Sequence, residues 1–140
     1  MDTLKVLIAD DDAGMRAVMR KLIERAEGFE LAGEAPDGPA LLRLAEDIRP
    51  AVVFLDVEMP GMTGVECARV LQDTDPATVL IFATAHEGYM SDAFELYAFD
   101  YLLKPFKVDR VLKTLERVRE RLTQAHAARE AADAAPRAPA

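Results

Sequence analysis

The sequence predicts an α/β protein, a three-layer (βα)5 sandwich in which helices cover both faces of a central five-stranded parallel sheet. Two observations predict it. Five short apolar runs recur along the chain: Leu4 to Ala9, Phe29 to Ala35, Ala51 to Leu55, Val79 to Ala83 and Phe99 to Leu103. All but the weaker second are apolar on both faces of an extended chain, which suits strands covered on both sides. Between the runs the apolar period lengthens to that of an amphipathic helix. Strand and helix thus alternate five times, and right-handed crossovers onto one sheet follow.

The helices have start and stop signals. Met15, Val18, Met19, Leu22, Ile23 and Ala26 make the stripe of the first, which Asp12 can cap and Gly28 can end. Asp37-Gly38-Pro39 opens the second, with Pro39 in the first turn, where a missing N–H does no harm. Leu41, Leu44, Ala45 and Ile48 are its stripe, and Pro50 stops it. A third helix is expected from about Thr63 to Asp73 and a fourth from about Tyr89 to Tyr97. The fifth carries Val108, Val111, Leu112, Leu115, Val118 and Leu122 on one face.

Composition narrows the function. The 140 residues suit one domain. The chain holds 25 acidic against 17 basic residues, a formal charge of −8, so direct nucleic-acid binding is not expected. The single Cys67 excludes an internal disulfide and a cysteine-based zinc site. No apolar run reaches the ~18 residues of a membrane span, and MDTLKVLIADDD lacks the pattern of a secretory signal. A cytoplasmic domain that makes no membrane contact is the expectation. Residues 1–122 form that domain. Residues 123–140, rich in alanine and ending in Pro-Arg-Ala-Pro-Ala, read as a helical extension, linker or disordered tail.

Ligands of such sheets sit beyond the carboxyl ends of the strands. Strand one ends at Asp10, Asp11 and Asp12, strand three at Asp56, strand four at Thr84 and strand five at Lys104-Pro105. Taken singly, all but Asp56 have an ordinary use: helix-capping acids, a strand threonine, a loop lysine; a carboxylate after AVVFL and before the Met59-Pro60-Gly61 turn is not needed for folding. Parallel strands bring them to one edge. Carboxylates gathered there repel one another unless a cation neutralises them. An all-oxygen cluster with open water positions suits Mg²⁺, for which Mn²⁺ can substitute. A lysine and a hydroxyl beside it suit a phosphoryl group. The set points to metal-assisted phosphoryl transfer with an aspartate as acceptor.

The stretches VLIADDD, FLDVEMPGMTGVE, IFATA and DYLLKPF resemble, in order and spacing, the receiver domain of bacterial response regulators, over about residues 4 to 122. The resemblance implies a flavodoxin-like sheet of order 2-1-3-4-5. It implies Asp56 as phospho-acceptor from a sensor histidine kinase, with Mg²⁺ held by Asp11, Asp56, the backbone carbonyl of Glu58 and, through water, Asp10. Lys104 would pair with the phosphoryl oxygens, and Pro105 would follow a cis peptide bond that aims Lys104. Thr84 and Tyr101 would form the switch, and Glu58 and His86 would border the site and tune the phosphoryl lifetime. The readout would be the face of the fourth helix, fifth strand and fifth helix, a surface for a homodimer or an output domain. AFDYLLKPF resembles receivers that precede a LytTR-type DNA-binding domain, which these 140 residues do not contain. The domain would be a switch that catalyses only its own phosphorylation and dephosphorylation.

Two features depart from the pattern or stay open. Tyr97 stands where similar chains often have a small or turn-forming residue. A bulky residue takes positive φ poorly, so the end of the fourth helix is expected to differ. From the sequence alone His86 reads first as an exposed loop residue, with an effect on the phosphoryl lifetime as the second reading. Three other readings are weighed against the receiver. A haloacid-dehalogenase-like phosphatase needs its nucleophile in an Asp-x-Asp motif after strand one, and a flavin carrier needs a phosphate loop without acids there. The third is a degenerate receiver that binds partners without phosphorylation; the presence of Asp11, Asp56, Thr84 and Lys104 opposes it.

Overall fold

The computed structural model describes residues 3–85 and 97–134. Strands β1 (Leu4–Ala9), β2 (Phe29–Ala35), β3 (Val52–Asp56), β4 (Val79–Thr84) and β5 (Asp100–Leu103) form one sheet of order β2-β1-β3-β4-β5. All four neighbouring pairs are parallel. Helices α1 (Ala13–Arg25), α2 (Gly38–Ile48) and α3 (Gly64–Thr74) and a long helix (Val108–Ala134) cover it. The doubly wound parallel fold expected from the apolar runs is the fold found. Of the helix expected over Tyr89 to Tyr97, all but Tyr97 lies outside the described residues.

Strand periodicity splits the core in two, because alternate side chains leave opposite faces. Val6, Ile8, Val52, Phe54, Val79, Ile81 and Leu102 pack with Met19, Leu22 and Ile23 of α1 and Val111, Leu115 and Val118 of the long helix. Leu7, Ala9, Val53, Leu55, Leu80 and Phe82 pack with Leu41 of α2 and Cys67, Ala68 and Leu71 of α3. Each fully buried Leu, Ile or Phe contributes about 1.5–3 kcal/mol. A one-residue slip of any strand would exchange the two sets, so the register is strongly specified. That register fixes which strand-end residues face each other.

Caps follow the local chemistry, with small departures. The Asp12 carboxylate accepts from Gly14 and Met15 N–H at 2.8 and 3.3 Å and so starts α1. Asp37 caps α2 through Ala40 N–H, with Pro39 in the first turn. Helix α1 ends at Ala26, not Gly28; Gly28 takes φ +87° two residues on, where its carbonyl accepts from Leu4 N–H. Strands β3 and β4 end at Asp56 and Thr84, as expected, and Asp56 pairs with Ala83 and Thr84 with Leu103 in the ladder. Val108, expected on the buried face of the last helix, is 38% exposed because the helix begins there, past the sheet.

The long helix has 27 residues and spans about 40 Å at ~1.5 Å per residue. Leu122 is its last large side chain against the core, and residues 123–134 are exposed. Its first turns are clasped to β5 by Asp100. That carboxylate accepts from Arg110 through both terminal nitrogens at 2.8 Å, from Thr114 Oγ1 at 2.7 Å and from Tyr101 N–H at 2.8 Å. Burial alone would raise the Asp100 carboxyl, but Arg110, Thr114 and the Tyr101 amide outweigh it and hold it at about 2. A depressed carboxyl stabilises the fold above its unfolded value of 3.8, and the contribution is lost as pH falls through about 2. Asp100→Asn is expected to cost about 2 kcal/mol at pH 7. In urea melts its deficit against wild type should shrink below pH 4 and vanish only below about pH 2; a pH-independent deficit would contradict the ionic clasp.

Candidate functional site

Register carries the acids to one place. Ala9 pairs with Leu55, so Asp10 leaves β1 level with Asp56 at the end of β3. Asp10 continues the face of Ile8, and Asp56 that of Phe54, so both lie on the side of α1 and the long helix. Lys104 follows Leu102 on the same face, just past β5. Its Nζ lies 2.6 Å from Asp10 Oδ2 and 3.3 Å from Asp56 Oδ2. Asp10 Oδ1 accepts from Asp12 N–H at 2.9 Å and Asp56 Oδ1 from Glu58 N–H at 3.2 Å. Asp10 and Asp56 are 5% and 7% exposed, while Asp11 is open to solvent. One carboxylate oxygen from each of Asp10, Asp11 and Asp56 lies within 4.8 Å of the other two.

The pocket is electrostatically unbalanced, with three carboxylates against one ammonium. Burial raises the Asp56 carboxyl above its usual value, and the Asp10 charge adds to the rise against the pull of Lys104. Burial pulls the Lys104 ammonium down, but the Asp10 hydrogen bond and the charges of Asp56 and Asp10 raise it overall. The donor set fits a hard dication. It is all oxygen, one acid is exposed, and water has access. Asp11 and Asp56 are the residues placed to hold such an ion, with Asp10 behind them.

The loop after β3 shapes the approach. Gly61 takes φ +79° in the Met59-Pro60-Gly61 turn, a conformation that favours glycine. Thr63 caps α3 by accepting from Glu66 N–H at 3.2 Å. At Gly64 a Cβ would sit 2.3 Å from the backbone oxygen of Asp56. Only a residue without a side chain lets α3 start this close to the strand end. A cleft of about 400 Å³, lined by Asp11, Val57, Glu58, Met59, Pro60, Thr63 and Val65, opens beside the acids.

The remaining expected residues are placed as follows. Thr84 is 1% exposed at the end of β4, on the face of Leu80 and Phe82, opposite that of the acids. Its carbonyl accepts from Lys104 N–H at 2.8 Å. Tyr101 is half-buried on that face, its ring tilted against Phe82 with centroids 6.4 Å apart. The Lys104–Pro105 peptide bond is cis. Glu58 is exposed, with its amide on Asp56. His86 lies outside the described residues. Two contacts escape sequence reading. Lys104 reaches Asp10 more closely than Asp56, and Arg16 of α1 donates to the backbone carbonyl of Asp10 at 2.6 Å. No spacing rule flags either.

A doubly wound parallel sheet of order 2-1-3-4-5 with acids and one lysine on its carboxyl edge defines a class of α/β domain built around an anionic pocket. Within that class the chain belongs to the response regulator receiver domain family, whose model matches residues 6–116. It is 36% identical over 122 residues to the sensory transduction protein LytT of Oceanobacillus iheyensis, covering 86% of this chain and 50% of that protein. It is 38% identical over 117 residues to the transcriptional regulatory protein BtsR of Escherichia coli, covering 84% and 48%. Among solved structures, the REC domain of AraT, a response regulator from Geobacillus stearothermophilus, superposes with a TM-score of 0.83 at 35% identity, covering 89% of this chain and 98% of that one. The chain spans about half the length of the curated relatives it matches. Family membership sets aside the phosphatase and flavin-carrier readings. Among the described residues, no helix is long and apolar enough to cross a membrane.

Removing Lys104 would leave two buried carboxylates without their cation. Lys104→Met is expected to cost about 2–4 kcal/mol in urea unfolding without added metal. Adding Asp10→Asn to that variant should recover at least about half the loss, because it removes the repulsion. A Lys104→Met variant as stable as wild type would show that the ammonium does not hold the acids together.

Proposed function

We propose that the domain is a phosphorylation-controlled switch in which Asp56 accepts a phosphoryl group from a phosphohistidine of a sensor histidine kinase. One observation carries this reading: a partly shielded Asp56 stands with Lys104 at 3.3 Å and two further carboxylates within 4.8 Å, beside an open cleft. A carboxylate oxygen of Asp56 attacks phosphorus. The P–N bond breaks, and the imidazole nitrogen leaves with the electron pair. The transition state is loose, so the protein chiefly positions groups and balances charge. Asp11, Asp56 and the Glu58 carbonyl, with Asp10 through water, would hold Mg²⁺, which when bound would supply positive charge to the transferring oxygens. Lys104 contributes the second positive charge. In the resting pocket Asp10 and Asp56 already hold its ammonium in place.

The product adds about 1.5–2 negative charges at the end of β3. Thr84 is one residue further along the neighbouring strand than the partner of Asp56. Its hydroxyl would swing toward the phosphoryl oxygens, and the Tyr101 ring, which packs on Phe82 of the same face, would follow. Such a local charge event can bias a two-state surface. That surface would be β5 and the long helix with the expected fourth helix, which, Tyr97 apart, lies outside the described residues. It would engage a second copy or an output domain, which in a relative named as a transcriptional regulatory protein would be a transcriptional one. The domain itself would turn over no free substrate, bind no nucleic acid and work in the cytoplasm, with Glu58 and His86 tuning the phosphoryl lifetime.

Incubation with acetyl phosphate and Mg²⁺, followed by intact mass measurement, tests the reading. Wild type is expected to gain one phosphoryl group and Asp56→Asn none, with the yield falling at least about tenfold in EDTA. No Asp56-dependent gain would leave a phosphorylation-independent binding module as the better description.

A further inference from the structure

The acidic pocket is held from behind by an arginine that phosphoryl transfer does not use. The β1–β3 ladder ends at Ala9 and Leu55. Asp10 N–H still donates to the Ala35 carbonyl on β2, at 3.1 Å. The Asp10 carbonyl lies past the ladder, and there Arg16 Nη1 donates to it at 2.6 Å. That carbonyl belongs to the planar peptide unit joining Asp10 to Asp11. Fixing its direction fixes the plane from which the Asp11 side chain departs.

We propose that Arg16 is a positioning residue for the divalent-cation site: by clamping the Asp10–Asp11 peptide it aims the exposed Asp11 carboxylate at Asp56. The inference rests on the cation site of the reading above. Asp11 is fixed on both sides. Before it, Arg16 holds the Asp10 carbonyl; after it, the Asp12 amide is bound by Asp10 Oδ1, while the Asp12 carboxylate caps α1. Arg16 is itself braced. Its Nε lies 3.7 Å from Glu34 Oε1 on β2, and Arg20, one turn along α1, grips the same carboxylate through Nε and Nη2 at 2.8 and 2.9 Å. Arg16 and Glu34 side chains are only 20% and 22% exposed. The planar guanidinium can serve the carbonyl and Glu34 at once, whereas the single ammonium of lysine cannot match that fork. Outer partners of this kind orient metal ligands elsewhere.

Charge and geometry make opposite demands here, which makes the inference testable. As a charge, Arg16 repels a dication, so removing it would tighten binding. As a clamp, its removal weakens binding. Mg²⁺ affinity of the intact chain is measured by titration calorimetry for wild type, Asp11→Asn, Arg16→Lys and Arg16→Gln. Both Arg16 variants are expected to bind Mg²⁺ about tenfold more weakly, with unchanged circular dichroism. Without metal, the Asp11 amide resonance should shift in both as the peptide plane is released. Wild-type affinity in Arg16→Lys, or tighter binding in Arg16→Gln, would overturn the clamp. A wild type whose Mg²⁺ binding is absent or insensitive to Asp11→Asn would bring down the cation site itself, a failure distinct from that of the clamp.

Discussion

Three carboxylates at the end of a sheet repel one another, and one ammonium bridges the two buried ones. Lys104 bridges Asp10 and Asp56, residues 94 and 48 positions away in the chain. The bridge closes the sheet from its first strand to its last across the carboxyl edge. Its strength comes from shielding: both acids are buried, and the lysine side chain is 13% exposed. One cation for three acids is a partial solution, and that shortfall makes the pocket receptive to a second cation. A fully neutralised pocket would be a structural salt bridge and nothing more.

The apolar sheet makes this arrangement possible. Strands whose alternate side chains fill two separate cores can sit in only one register, and that register sets Asp10 beside Asp56. Polar contacts then complete the rim. Asp12 turns the chain into α1, Gly64 lets α3 begin against the backbone of Asp56, and the Asp100 clasp seats the long helix behind β5. The acids leave one face of the sheet and Thr84 and Tyr101 the other, since these two share the side of Phe82. A charge added on Asp56 therefore acts at the edge where the two faces meet.

Much of this was legible in the chain. Runs such as VVFL and VLIFA are apolar on both faces, so they announce buried parallel strands, and parallel order alone gathers their polar ends. Asp12 reads as a cap and Asp37-Gly38-Pro39 as a helix start because such signals are local. Side-chain contacts between distant elements were not legible. Arg16 looks like any solvated helix residue until the fold sets it under the Asp10 carbonyl. Asp100 sits inside an otherwise apolar run, and only the packed long helix supplies Arg110 and Thr114. The nearer hold of Lys104 on Asp10 depends on ångström-scale placement that spacing does not encode. His86 and the helix expected before Tyr97 fall among residues the structure leaves undescribed.

The most direct measurement is a crystal structure grown with Mn²⁺ and analysed by anomalous scattering at the manganese edge. One strong peak is expected within bonding distance of the Asp11 and Asp56 carboxylates, with the Lys104 ammonium still in contact with the acidic cluster. Absence of manganese from the cluster at saturating concentration, or acids dispersed with Lys104 turned to solvent, would contradict the balance of charges on which the site is built.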